Sequence, residues 1–244
     1  RLEGVAFTYP GGRQPALAGV DLSLAAGKSH CIVGATGAGK STTLDILLGL
    51  LRPSAGRVLV DGRPLDDAGL QAWQRGIGYV PQSVFLFDDT VANNIALGVE
   101  PGDIDPARLE RAARIAQIHD FIAGELPEGY ATRVGERGAS FSGGQRQRIG
   151  IARALYREAS VIVLDEALIG LDVVTATRVL DGLRRLGGRT LIFVSHRAIV
   201  ASSCDDVTVF EDGRVVAHGD YRSLTAPGSP YRALLEESAT RPLG

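Results

Sequence analysis

Methionine is absent from all 244 residues, tryptophan occurs once, cysteine twice and lysine only at Lys28 and Lys40, against 24 arginines. With no initiator residue and Arg1 at its start, the sequence reads as a trimmed protein or an excised domain. Cys31 and Cys204 have neither metal-ligand spacing nor the frequency of a disulfide framework, so both read as reduced, small hydrophobic residues on the cytosolic side of a membrane. No window offers the roughly 18 consecutive apolar residues of a membrane-spanning helix, and no secretory signal pattern opens the chain. Charge of one sign is missing too: 26 basic against 28 acidic side chains leave a net charge of -2, which gives no overall electrostatic footprint for nucleic acid. What is present is 45% hydrophobic residues, 22% charged residues and 31 glycines, the make-up of an ordered globular chain. Its length suits one large α/β domain with lobes.

The first sixty residues alternate in short runs that predict strands at Val5 to Tyr9, Val20 to Leu24, Ser29 to Val33 and Arg57 to Val60, the last closing on an Asp61-Gly62 turn. Between the third and fourth of these, a glycine-rich turn leads into a predicted helix over Lys40 to Leu51. A helical stretch follows, with helices at Val91 to Ala96, Pro106 to Gln117, Ile118 to Ala123 and Gly143 to Arg157, making a subdomain over about residues 88–157. Val161 to Leu164 and Thr190 to Val194 are uninterrupted apolar runs, as expected of parallel strands buried on both faces, and a helix over Val173 to Leu186 separates them. A hairpin is predicted at Val207 to Phe210 and Val215 to His218, around the turn Glu211-Asp212-Gly213, with a last helix near Pro230 to Glu237.

Three patterns carry chemistry. Gly34-Ala35-Thr36-Gly37-Ala38-Gly39-Lys40-Ser41 matches a phosphate-binding loop, in which small residues let successive backbone N–H groups face phosphate oxygens, Lys40 adds a cation and Ser41 a hydroxyl ligand for magnesium. Its place between a strand and a helix is what that mechanism needs. Val161 to Leu164 ends in Asp165 and Glu166, where one acid suits magnesium and the next suits polarising a water in line with a γ-phosphate. Phe141-Ser142-Gly143-Gly144-Gln145 precedes a helix bearing Arg146, Arg148 and Arg153; Ser142 reads as its N-cap, with N–H groups behind it that favour an anion.

Taken together, these residues resemble the signature of the nucleotide-binding domain of ABC transporters, and the likeness runs through essentially all 244 residues in family order. Tyr9 is similar to the aromatic residue that stacks on adenine, Gly34 to Ser41 with Thr42 to the Walker A loop, and Gln82 in Val80-Pro81-Gln82 to the Q-loop. Asp165 and Glu166 match the Walker B aspartate and catalytic glutamate, and His196 in Val194-Ser195-His196-Arg197 the switch histidine. Val134-Gly135-Glu136-Arg137-Gly138 resembles the X-loop of exporter-type cassettes, and residues 73–96 look like those of lipid-linked oligosaccharide flippases and related exporters. One segment departs from the pattern: Ala167-Leu168-Ile169-Gly170-Leu171-Asp172 replaces the family's Ala-Thr-Ser-Ala-Leu-Asp D-loop, keeping Asp172 and losing its hydroxyl neighbours. Phe141 stands where leucine is commoner.

The resemblance implies a P-loop NTPase of ABC type: a mixed, largely parallel core sheet, an N-terminal antiparallel β lobe and a helical subdomain, all forming one domain over residues 1–244. It implies ATP and magnesium as cofactors, the metal held by Ser41, Gln82 and Asp165. It further implies a head-to-tail dimer in which Ser142, Gly143, Gly144 and Gln145 complete the partner copy's site. A transmembrane domain, fused upstream or separate, would then place the chain on the cytoplasmic face of the inner membrane, with nucleic acid excluded as a partner. ATP hydrolysis driving export or lipid flipping is the leading expectation. A regulatory ATP-binding module with weak hydrolysis is the alternative that the D-loop suggests, and a soluble cassette ATPase of DNA repair or translation is a third, opposed by the charge and the X-loop.

Overall fold

The structure is a computed structural model and describes residues 1–135, 138, 141–226, 229, 231 and 232. In chain order the elements are β1 (Leu2–Phe7), β2 (Leu17–Leu22), β3 (Ser29–Gly34), α1 (Lys40–Leu47), β4 (Ala55–Val60), β5 (Arg63–Pro64), α2 (Asp67–Arg75) and β6 (Ile77–Val80). Then come α3 (Val91–Ile95), α4 (Pro106–Ile115), α5 (His119–Glu125), α6 (Gly143–Tyr156), β7 (Val161–Asp165) and α7 (Val173–Arg185). The described part closes with β8 (Thr190–Val194), α8 (Ala198–Ala201), β9 (Asp206–Glu211), β10 (Arg214–Gly219) and α9 (Tyr221–Leu224). Most of the predicted final helix, and Glu136 and Arg137 of the predicted X-loop, lie outside the described residues. The chain divides into two units, one of residues 1–77 with 190–244 and one of residues 78–189.

The first unit holds an antiparallel sheet ordered β2-β1-β4-β5 and a set of strands ordered β10-β9-β3-β8. Leu2, Val5 and Phe7 of β1 are buried, and they do not alternate strictly, because a bulge between Leu2 and Val5, with Gly4 at φ 56°, shifts the register. That bulge is why period-two reading of the sequence starts the strand at Val5. β3 lies parallel to both β8 and β9, with Ile32 opposite Val194 and Thr208, and its residues 29–33 are all buried, as a strand covered on both faces requires. The β9–β10 hairpin turns through Asp212 at φ 45° and Gly213 at φ 74°, the two consecutive left-handed residues of a type I′ turn.

α1 stops four residues before the predicted end. Gly49 adopts φ 71°, its N–H reaches the Ile46 carbonyl at 3.0 Å and the Leu50 N–H reaches the Asp45 carbonyl at 2.8 Å, which together make a Schellman close. The sequence reading has no helix at α2, whose Asp66 cap accepts from the Gly69 N–H at 2.9 Å. No residue of α2 is fully buried.

In the second unit β7 neighbours β6, and α3 and α4 pack against α6. α6 buries Ile149, Ile151 and Ala152 completely and carries Gly150 at its closest approach to the 82–90 segment. A methyl group on Gly150 would lie 2.5 Å from Val84 Cγ2. Alanine in mid-helix is ordinarily about 1 kcal/mol better than glycine. Here the overlap outweighs that gain, so Gly150→Ala is expected to destabilise the protein by about 1–3 kcal/mol, the usual cost of overpacking. Chemical denaturation checks it, with Gly150→Ala/Val84→Ala recovering most of the loss; a more stable single variant would refute the packing argument.

Candidate functional site

In the first unit, the phosphate loop leaves β3 at Gly34 and enters α1 at Lys40. Two of its glycines are dictated by backbone contact. A Cβ on Gly34 would sit 2.3 Å from the Phe210 carbonyl oxygen, and one on Gly39, at φ 99°, would sit 2.8 Å from that of Ala16. The Ala38 carbonyl accepts from the Gly213 N–H at 3.1 Å, and the Gly213 carbonyl accepts from the Ala18 N–H at 2.9 Å. The Lys40 ammonium donates to the carbonyls of Gly34 and Ala35, each at 2.8 Å, which draws the charge over the loop. No side chain caps α1 and no acidic residue occupies its first turn, so nothing of its own offsets the positive end of the helix.

Tyr9 and His196 belong to the same unit. The Tyr9 hydroxyl is 3.1 Å from Thr42 Oγ1, and its ring meets Phe7 edge-on with centroids 4.9 Å apart. His196 follows β8 by two residues, as Gly34 follows Ile32, and Ile32 is paired with Val194. The histidine and the phosphate loop therefore leave the carboxyl ends of neighbouring parallel strands, the usual position of ligand groups in an α/β sheet. Ser195, between strand and histidine, is buried and donates its N–H to the Ile32 carbonyl at 3.2 Å.

In the second unit, β7 ends at Asp165, whose Oδ2 is 3.4 Å from the Tyr79 hydroxyl of β6. Glu166 follows in the left-handed region at φ 51°, an unfavourable conformation for a residue with a side chain and one that marks functional positions. Gln82 is exposed, and its carbonyl accepts from the Gln147 side-chain amide of α6. Ser142 caps α6 in a full capping box: the Gln145 N–H reaches Ser142 Oγ at 3.2 Å and the Ser142 N–H reaches Gln145 Oε1 at 2.7 Å. Phe141 is buried edge-on against Phe121, with ring centroids 6.0 Å apart. A Cβ on Gly144 would lie 2.8 Å from the Gly170 carbonyl oxygen, so the signature helix backs directly onto the D-loop. Leu168 and Leu171 of that loop are buried, and Asp172 caps α7 by accepting from the Thr175 N–H at 2.9 Å. Hydrogen bonds from Thr175 hold the Asp172 carboxyl below the usual carboxylate range. Burial lowers the guanidinium pKa of Arg153, whose donors go to the Asn94 and Phe85 carbonyls at 2.8 and 3.1 Å.

Residues 17–169 match the family model described as ABC transporter. The chain belongs to the ABC transporter family. It is 39% identical over 234 residues to the ATP-dependent lipid A-core flippase of Cupriavidus pinatubonensis and 41% identical over 233 residues to that of Chromobacterium violaceum. Those alignments cover 95% of this chain and 40% and 39% of the two flippases. It is also 37% identical over 237 residues to an uncharacterized ABC transporter ATP-binding protein of Bacillus subtilis, with coverage of 97% and 41%. Among solved structures, a bacterial Atm1-family ABC exporter with ATP bound superposes with a TM-score of 0.90 at 36% identity, over 98% of this chain and 42% of that one. The chain thus spans about two fifths of the length of the curated relatives it matches. As an ABC transporter chain it has the expected fold class; the core strands β3, β7 and β8 lie where the sequence places them, whereas β1 and β2 of the antiparallel lobe each begin three residues earlier than expected.

Besides the Tyr9–Thr42 pair, two contacts in these sites escaped the sequence reading, those of Tyr79 and Gln147. Tyr79 signals itself as the one exposed residue among the buried positions of β6, and Gln147 as a buried amide on an otherwise apolar helix face. Within the phosphate loop the decisive residue is Gly39. Because both its φ and its contact with Ala16 exclude a side chain, Gly39→Ala is expected to cost about 1–3 kcal/mol of backbone strain. A melting temperature unchanged from that of the parent protein would contradict this.

Proposed function

We propose that this chain binds and hydrolyses ATP and thereby drives a membrane domain of the exporter class to expel or flip its substrate, with lipid-like molecules favoured by the flippase relatives. The observation that carries the proposal is the phosphate loop: backbone held open by Gly34 and Gly39, Lys40 folded over it and an uncapped helix start behind it. Tyr9 stacks on adenine. The amides of residues 34–41, with Lys40 and Thr42, receive the phosphates. Ser41, Gln82 and Asp165 offer a hydroxyl, an amide oxygen and a carboxylate, hard oxygen donors that fit magnesium. Magnesium, when bound with ATP, neutralises charge on the terminal phosphates.

Glu166 orients and polarises the attacking water, and His196 donates toward the γ-phosphate. Ser142, Gly143, Gly144 and Gln145 present the positive end of α6 to nucleotide held by a second copy, and Asp172 positions the D-loop beside it. The partners are accordingly a second nucleotide-binding domain and a membrane domain at the cytoplasmic face of the inner membrane. A second reading, a regulatory module that binds ATP and hydrolyses it slowly, is favoured by the loss of hydroxyls at Leu168 and Ile169. Magnesium-dependent phosphate release from the full-length protein separates the two.

Lys40→Ala is expected to weaken ATP binding about 10- to 100-fold, since it deletes a charge-assisted contact, and Tyr9→Ala about threefold to tenfold, since it deletes a stacking face. Equal losses in calorimetric titration would count against these roles. Glu166→Gln is expected to slow phosphate release about 10²- to 10³-fold with ATP still bound. Adding Ser142→Arg should then prevent the ATP-dependent association of the two nucleotide-binding domains that Glu166→Gln traps, which cross-linking in the full-length protein reads directly; association that persists in the double variant would show that Ser142 does not face nucleotide.

A further inference from the structure

The ring of Tyr9 is carried by a segment that cannot fix it alone. β1 ends at Phe7, and the chain then turns through Pro10, Gly11 and Gly12, with Gly11 at φ 78° and the Gly12 N–H closing on the Tyr9 carbonyl at 2.8 Å. Tyr9 itself is 45% exposed. Its ring is nonetheless gripped at two places. The edge-on contact with Phe7 holds the body of the ring at a centroid distance of 4.9 Å and an interplanar angle of 90°. The hydroxyl, at the far end, is 3.1 Å from Thr42 Oγ1. Thr42 is only 6% exposed and lies in the first turn of α1, two residues after Lys40. One contact refers the ring to the β lobe and the other to the phosphate loop.

We infer that the Tyr9 hydroxyl is a positioning group: by pairing with Thr42 it fixes the aromatic face at a set height and tilt over the phosphate loop before nucleotide arrives. This rests on the ATP-binding reading above and assigns a separate job to an atom that stacking does not use. A ring held by Phe7 alone pivots about that contact. A ring pinned also at its hydroxyl presents one face, so the ordering of the side chain is complete before binding rather than charged against it. The pairing also ties the two ends of the ligand site together, because a shift of α1 at Thr42 moves the adenine platform with it. The purine and the phosphate chain of one nucleotide are thereby measured against each other, which favours a nucleoside triphosphate over a bare polyphosphate.

The test uses the full-length protein and titrates ATP and inorganic tripolyphosphate into the parent and into Tyr9→Phe, Thr42→Val, Thr42→Ser and the Tyr9→Phe/Thr42→Val and Tyr9→Phe/Thr42→Ser pairs. Tyr9→Phe keeps the ring and the Phe7 contact, so it is expected to weaken ATP by less than Tyr9→Ala does, about twofold to threefold, and to leave tripolyphosphate unchanged. In the Thr42→Val background the same change should have no further effect on ATP. In the Thr42→Ser background, which keeps a hydroxyl, the loss should return. Equal ATP affinity for Tyr9→Phe and the parent would overturn the inference, as would a loss of the same size with valine at position 42. Loss of tripolyphosphate affinity in Tyr9→Phe would overturn it too, because the hydroxyl would then be serving the phosphates. A parent protein that binds no ATP would instead overturn the proposed function, so the two failures are read separately.

Discussion

Backbone packed against backbone at the phosphate loop is the constraint from which the ligand chemistry of the first unit follows. Gly213 is its centre: one N–H holds the Ala38 carbonyl, one carbonyl holds the Ala18 N–H, and any Cβ there would sit 2.7 Å from the Ala16 oxygen. A hairpin turn more than 170 residues away in sequence thus clamps the loop from one side while β3 feeds it from the other. The buried Leu17 side chain closes the same place, 2.7 Å from where a Cβ on Gly39 would stand. For the phosphate binding proposed above, the loop is therefore held by neighbours that lie outside it, so that an arriving anion need not build the loop's shape.

The second unit solves a different problem, that of holding several irregular segments, around Phe85, Asn94, Gln117 and Phe141, against one helix. The arginines of α6 supply the donors. Arg146 reaches the Phe141 carbonyl at 2.5 Å, Arg148 the Gln117 carbonyl at 2.6 Å, and Arg153 the carbonyls of Asn94 and Phe85. Their charges look, in sequence, like an anion-attracting cluster. In the structure they satisfy carbonyls that loops leave unpaired, and the cost of burying Arg153 is met by three oxygens, those of Phe85 and Asn94 and the Asn94 side chain. The part of α6 proposed to face an anion is its first turn, where Ser142 and Gln145 cap each other and Gly143 stays open.

Local rules made the strand–loop–helix order, the apolar strands β7 and β8, the Asp212-Gly213 turn and the Ser142 cap legible before any coordinates, because each depends on residues within a few positions of one another. What stayed hidden depends on distant neighbours. The bulge at Gly4 displaces β1 by a residue that period-two counting does not see. The hydroxyl pair of Tyr9 and Thr42 joins residues 33 apart, and neither residue's own surroundings announce the other.

The D-loop shows how a departure from a family pattern becomes intelligible once its contacts are known. Leu168 and Leu171 are 2% and 6% exposed, so the apolar replacement at 168 adds to the core of its unit rather than to a surface. Gly170 keeps its carbonyl against Gly144, a contact in which the missing side chain is that of Gly144 and not that of Gly170. The segment is therefore firmly seated, and its change of chemistry falls on one half-exposed residue, Ile169, which offers no hydroxyl where the family pattern offers one. Asp172 is already engaged in capping α7, and its lowered pKa reflects that engagement. Under the proposed function, a loop that is rigid and short of donors contributes shape to a nucleotide site rather than hydrogen bonds, which leaves the polarising of water to Glu166 at the start of that same segment.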